Sequence, residues 1–140
     1  MNEKLTKSIK KSTRQMIDLL PIFIGIVFLI GLINKLIPTT AYTLIFTKNP
    51  FFDSIIGASL GSLLVGSPVI SYILGGEFAG QGINLVAVTA FMIAWVTVGV
   101  IQFPAESTTL GKKFAFERNI LSFAFSIISA IIIVSVVGVI

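Results

Sequence analysis

The sequence contains no cysteine and no histidine among its 140 residues. Without cysteine the chain has no disulfide framework, no thiolate metal site and no thiol chemistry. The absence of histidine removes the side chain that titrates near neutral pH and is the commonest metal ligand. No catalytic triad, nucleotide-binding loop or metalloprotease motif is present either. We therefore expect no metal, no cofactor and no enzymatic activity.

Charge is also scarce in this chain. Only 11% of the residues are charged, 55% are hydrophobic, and the mean hydropathy is +1.02. Soluble domains usually carry about 25% charged residues. We find no hydrophilic domain, repeat or low-complexity tract. The composition predicts an all-α integral membrane protein of the cell membrane, with one multi-pass domain over residues 16–140 and the lipid bilayer as its surroundings.

Basic residues are concentrated before the first apolar run. Five of the ten lie in the first fourteen positions: Lys4, Lys7, Lys10, Lys11 and Arg14. The positive-inside rule places such a cluster in the cytoplasm. Residues 1–15 are predicted to form a basic amphipathic helix at the membrane surface. Nucleic acid is not an expected partner, because no basic or aromatic surface occurs elsewhere in the sequence.

Three apolar runs predict three transmembrane helices, since about 20 apolar residues span the hydrocarbon core. They cover residues 16–37, 83–103 and 120–140. Between the first run and residue 53 we expect a connector that contains one short interfacial helix around 42–46. Residues 104–118 are expected to form a polar loop.

A fourth apolar stretch, residues 54–76, has no charge but is interrupted by Gly66-Ser67-Pro68. Proline removes a backbone donor, and broken backbone at membrane depth persists only beside protein or a water-filled cavity. A hairpin over 52–79 puts eight basic residues inside and two outside, whereas a single crossing gives five on each side. The charge bias therefore predicts a re-entrant helical hairpin, with the C-terminus outside.

Small residues recur four positions apart within this stretch, at Gly57 and Gly61 and again at Ser62 and Gly66. Such spacing lets helices approach closely in membranes. We expect these four residues to lie along the path of a transported solute.

The break itself has the features of a helix start. Ser67 is a good N-cap, and Pro68 suits the first helical position. The positive end of such a half-helix attracts an anionic or electron-rich group. Ser71 and Tyr72 follow and offer hydroxyl contacts. The alternative interpretation is a packing kink whose polar groups are met by neighbouring helices.

Three further residues are candidates for the site. Trp95 lies in the middle of a predicted span, as core packing or as a cavity wall. Glu77 is a candidate for proton or cation coupling if it lies at depth, and an interfacial residue if the half-helix ends at Gly75-Gly76. Glu106 is a second coupling candidate, and pairing with Lys112 or Lys113 is its structural alternative.

The order of several motifs carries a family resemblance. The motifs are Gly57-Ala58-Ser59-Leu60-Gly61, Gly66-Ser67-Pro68, Ser71-Tyr72, Ala90-Phe91, Ala94-Trp95, Pro104-Ala105-Glu106, Leu110-Gly111-Lys112-Lys113-Phe114-Ala115 and Arg118-Asn119. This order resembles the predicted permease family of YraQ-like and ArsP-type organoarsenical efflux permeases. Those proteins have two related halves, and this chain resembles the second half alone. It lacks the cysteine that their first half often carries, so the thiolate ligand of a thiophilic arsenical is missing.

The resemblance implies a half-size membrane permease that oligomerises and moves a small solute along a path lined by the broken helix. The expected partner is a second copy or a sister half-permease, because three spans and a hairpin are too few to enclose a path. The alternative is a non-transporting scaffold or regulatory subunit of a larger membrane complex. A small channel is a third interpretation.

Overall fold

The computed structural model describes residues 2–36, 45–47, 49–64 and 66–138. Every helix or strand assigned within these ranges is an α-helix, which confirms the all-α prediction for them. The expected interfacial helix around 42–46 falls largely outside the described residues. The chain divides into two compact units, Met1–Pro38 and Thr39–Ile140.

The first unit contains one helix, α1 (Asn2–Leu36). It runs without interruption across residue 15, where we predicted a change from a surface segment to a span. Residues 2–20 contain neither glycine nor proline, so nothing local ends the helix there. Pro21 lies inside the helix, which continues through it. The two predicted elements are therefore a single helix of 35 residues, about 52 Å long.

The second unit contains five described helices. They are α2 (Pro50–Leu63), α3 (Pro68–Gly80), α4 (Leu85–Thr97), α5 (Phe103–Thr109) and α6 (Lys112–Val137). The start of α3 is as predicted, with Ser67 as the N-cap and Pro68 in the first turn. The Ser67 hydroxyl accepts a hydrogen bond from the N–H of Val69 at 3.3 Å.

Helices α2 and α3 form a hairpin that packs against α4. Gly57 and Gly61 of α2 meet the backbone of Ala87 and Phe91 in that order, so α2 runs parallel to α4. Along α3 the neighbours reverse, because Gly66 lies beside Trp95, and Gly75 beside Met92 and Val88. The described residues of the hairpin turn, 64, 66 and 67, are named the tip.

The predicted span over 83–103 is shorter in the structure. Helix α4 has 13 residues, about 20 Å, whereas the hydrocarbon core is about 30 Å thick. It ends at Thr97, and residues 98–102 form a second break before α5. The helical hydrogen bonds stop here because the N–H of Gly99 donates to the Asn119 side chain, at 2.8 Å.

The predicted polar loop over 104–118 is largely helical, which corrects that expectation. Helix α5 occupies its first part, and α6 begins at Lys112, eight residues before the predicted start of the last span. The chain turns at Gly111, whose φ of +90° favours glycine. Among the described residues, α6 alone is both long and apolar enough to cross a membrane, and three spans are not established.

Small side chains form the contact between three helices of the second unit, beside larger buried residues such as Phe91 and Trp95. Ala58, Ala90, Ala94 and Ala130 are fully buried where α2, α4 and α6 meet. Most of the large apolar side chains of α6 lie on its exposed surface instead. Such a large exposed apolar surface is unusual for a soluble domain.

Candidate functional site

The tip and the second break lie side by side and border a partly open cavity of about 210 Å³. We call it the tip cavity. Its described lining residues are Gly66, Pro68, Trp95, Val96, Val98, Gly99 and Gln102. All seven are uncharged, and they lie in the two helix interruptions or in the helical turns next to them.

Trp95 joins the two sides of the tip cavity. Its indole Nε1–H donates to the backbone oxygen of Gly66 at 3.3 Å, so a side chain of α4 satisfies a carbonyl of the broken backbone. Its ring also packs edge-to-face on Phe91, with centroids 5.5 Å apart. Both interpretations of Trp95 therefore apply, because the side chain is buried core and a wall of the cavity.

The second break is held by Asn119 of α6. Its Oδ1 accepts the N–H of Gly99, and its Nδ2 donates to the carboxylate of Glu106 at 3.1 Å and to the carbonyl of Ala115 at 2.9 Å. One amide therefore ties the broken backbone of the cavity to α5 and α6. The signal for this role in the sequence is a lone amide at the start of an apolar run.

Glu106 lies at the centre of a polar network rather than in the cavity lining. Its carboxylate forms a salt bridge with the guanidinium of Arg118 and accepts the Asn119 amide. The side chain is 17% exposed. Its partner is Arg118, in place of the expected Lys112 or Lys113. A carboxylate with two charged or polar donors is a structural support of the second break in this arrangement.

Gly57 and Gly61 lie against α4 and outside the tip cavity. A Cβ atom on Gly57 would come within 2.2 Å of the Ala87 carbonyl oxygen, and one on Gly61 within 2.3 Å of the Phe91 carbonyl oxygen. The expected close approach of helices is therefore present at this pair. The two glycines hold the hairpin against α4 and are not among the residues that line the tip cavity.

The Ser62 and Gly66 pair does not form a second packing motif. Helix α2 ends at Leu63, so Gly66 lies in the tip and the two residues do not share a helix face. The buried Ser62 hydroxyl donates to the Ser59 carbonyl at 2.7 Å. Ser62 lines a different cavity, of about 400 Å³, together with Asn119.

The hydroxyl residues that follow the break do not line the tip cavity. Ser71 is fully buried and donates to the carbonyl of Pro68 at 2.7 Å. Tyr72 is 64% exposed and is not among the lining residues. The structure therefore places Gly66, Pro68 and Trp95 in the cavity, and brings Ser67 to its edge as the cap of α3.

Glu77 lies in the last turns of α3, about 14 Å along the helix from the tip. It is half-buried, and its carboxylate accepts the side-chain amide of Gln81 at 3.1 Å. The structure therefore does not bring Glu77 to the cavity, and the two coupling candidates are separate from each other.

Asp53 is buried at the start of α2. It is 1% exposed, and its Oδ1 accepts the backbone N–H of Thr47 at 2.7 Å and the Thr47 hydroxyl at 3.1 Å. Among the described groups, none donates to its Oδ2. The carboxylate thus folds the preceding segment back onto the first turn of α2.

The tip cavity can bind a small solute through neutral groups. Gln102 offers a primary amide, with two donors and one acceptor. Interrupted helices also leave backbone groups outside the helical hydrogen-bond ladder. Comparisons with protein-family models, curated protein sequences and solved structures found no match to this chain.

Proposed function

We propose that this chain is a half-size membrane permease, which oligomerises to move a small solute past the tip cavity. The observation that carries the proposal is the meeting of two helix interruptions, at residues 64–67 and 98–102, around one cavity. In transporters, interrupted helices place unwound backbone at the substrate site near the bilayer midplane.

The dimensions of the hairpin support a re-entrant arrangement. Helices α2 and α3 have 14 and 13 residues, about 20 Å each, which is less than the hydrocarbon thickness. Both arms pack on α4, and the tip lies level with the end of that helix. A hairpin of this depth would bring the tip cavity into the membrane interior.

The distribution of apolar residues supports a membrane location. Helix α6 has the length and composition to cross the bilayer. Its exposed surface carries Phe125, Ile128 and Ile132, which in water would form a large apolar patch. Alanine, glycine and serine lie at the helix contacts instead, as in membrane helix packing.

The geometry of the tip cavity favours assembly. A cavity bounded by two short helix interruptions does not form a closed path through a bilayer. We therefore propose that a second copy or a sister half-permease completes the path, with the N-terminus in the cytoplasm.

An uptake screen in proteoliposomes tests the proposal. Radiolabelled small solutes, neutral and anionic, are supplied to vesicles that contain the full chain or its Ser67→Ala or Pro68→Leu variant. We expect saturable uptake of at least one solute, and loss of most of that uptake in both variants. Gly76→Ala is the matched control, because a Cβ on Gly76 meets open space.

Two results would count against this function. Unchanged uptake in both folded variants would show that the tip does not contribute to the transport site. No uptake of any solute, together with a tip that excludes water, would favour the scaffold alternative.

A further inference from the structure

A second concave surface lies between α4 and α6, on the unit described above but away from the tip cavity. This groove has a volume of about 470 Å³. Its floor and walls include Ile93 and Thr97 of α4 and Ser122, Phe125 and Ser129 of α6. From Phe114 to Ser129 it follows α6 for about 22 Å. One leaflet of hydrocarbon, about 15 Å, is shorter than this groove.

The serine side chains are small enough to leave the groove open, and the buried hydroxyl among them is hydrogen-bonded within α6. Ser126 at its floor is fully buried, and its hydroxyl donates to the Phe123 carbonyl of its own helix at 2.7 Å. Small side chains therefore leave a channel between the large apolar residues that flank it. Such a channel suits a flexible hydrocarbon chain.

One end of the groove is charged. Arg118 lines it near the start of α6, and the structure gives its guanidinium one hydrogen bond, to Glu106. A guanidinium has five N–H donors in a fork that matches phosphate. Glu117, at the same end, is 3.9 Å from the ammonium group of Lys113. The basic groups Lys112 and Lys113 lie on the same first turn.

We infer that this groove binds an anionic phospholipid, with an acyl chain along Ser122 and Ser129 and the phosphate at Arg118. The inference rests on the proposed membrane location of the chain, but not on transport. In the predicted topology Arg118 lies on the cytoplasmic side, where anionic lipids attract basic residues.

Native mass spectrometry of the full chain tests the inference, with phosphatidylglycerol and phosphatidylcholine of identical acyl chains added to the detergent solution. We expect about fivefold greater retention of phosphatidylglycerol, the factor that one basic side chain at an anionic surface provides. Arg118→Gln should remove this preference, and Ser122→Leu should fill the groove and reduce retention of both lipids. Ser135→Leu, on an exposed position of the same helix, is the matched control.

Equal retention of the two lipids by the unmodified chain would overturn the inference. So would equal retention by Ser122→Leu and Ser135→Leu. If Ser122→Leu instead changed the oligomer mass with no change in bound lipid, the groove would be a protein contact, and the inference would be wrong. Extraction of the chain from membranes by carbonate would contradict the proposed membrane function itself.

Discussion

Gly57 and Gly61 fix the distance between the hairpin and α4. Their missing side chains let the α2 backbone reach the carbonyl groups of Ala87 and Phe91. A methyl group at either position meets backbone, which cannot rotate away as a side chain can. These two residues therefore place the tip beside Trp95.

We expect Gly61→Ala to lower the free energy of unfolding by about 1–3 kcal/mol, because overpacking forces backbone shifts. Gly76→Ala lies on the same hairpin with open space around it, and should leave stability unchanged or slightly raised. Thermal unfolding in detergent, followed by the fluorescence of the single tryptophan, measures both. Equal midpoints for the two variants would disprove close packing at Gly61.

Asn119 is the second residue on which the site depends. Asn119→Ala leaves the N–H of Gly99 without its partner and removes a donor from Glu106. An unsatisfied buried group costs about 1–3 kcal/mol. We expect a loss of stability in that range, measured by the same unfolding assay. Thr108→Ala on exposed α5 is the control, and a loss as large in this variant would refute a special role for Asn119.

At the scale of elements, the first break was predictable and the second was not. The residues Gly66-Ser67-Pro68 both interrupt one helix and begin the next, so the position of the tip can be predicted from these residue types alone. At the second break, the N–H of Gly99 donates to Asn119, twenty residues further along the chain. No residue near Gly99 in the sequence indicates that contact, and the apolar run around it predicts one continuous helix.

The burial of Asp53 was likewise not predictable from the sequence. A carboxylate before an apolar run is typical of a membrane boundary, and its burial depends on the fold of Thr47 and its neighbours. In contrast, the N-caps of α2, α3 and α4 are side chains next to the helices they start, and such caps can be recognised from sequence alone.

The contact between Trp95 and the tip links the two interrupted elements. Trp95→Phe keeps an aromatic ring against Phe91 and removes the donor to Gly66. We expect the tip amides from Gly66 to Ile70 to exchange about fivefold faster, as loss of about 1 kcal/mol implies. Hydrogen exchange measured by mass spectrometry tests this. Tyr72→Phe, which removes an exposed hydroxyl of α3, should leave the exchange rate unchanged. The same acceleration in this variant would show that the hydrogen bond from Trp95 does not protect the tip.

At the scale of the whole molecule, the topology follows from the hairpin. Because α2 and α3 run in opposite directions, residues 51 and 80 lie at the same end of the hairpin. If the hairpin is re-entrant, both positions face the same side of the membrane, and the chain crosses to the other side through α4 and the residues that follow it, up to α5.

Cysteine labelling can test this arrangement without background, because the chain has no cysteine. We expect Phe51→Cys and Gly80→Cys to react with an impermeant maleimide from the outside of cells. Leu110→Cys should react only in inverted membrane vesicles. Labelling of the first two positions from opposite sides would show a single crossing and rule out the re-entrant hairpin.

The proposed function requires that water and solute reach the tip cavity. The most direct measurement is the alkylation rate of Gln102→Cys in membranes by a small, charged thiol reagent, compared with Ala90→Cys in the fully buried core. We predict rapid modification at residue 102 and none at residue 90. Equal protection of the two positions in a folded protein would show a dry, packed break and contradict a transport path.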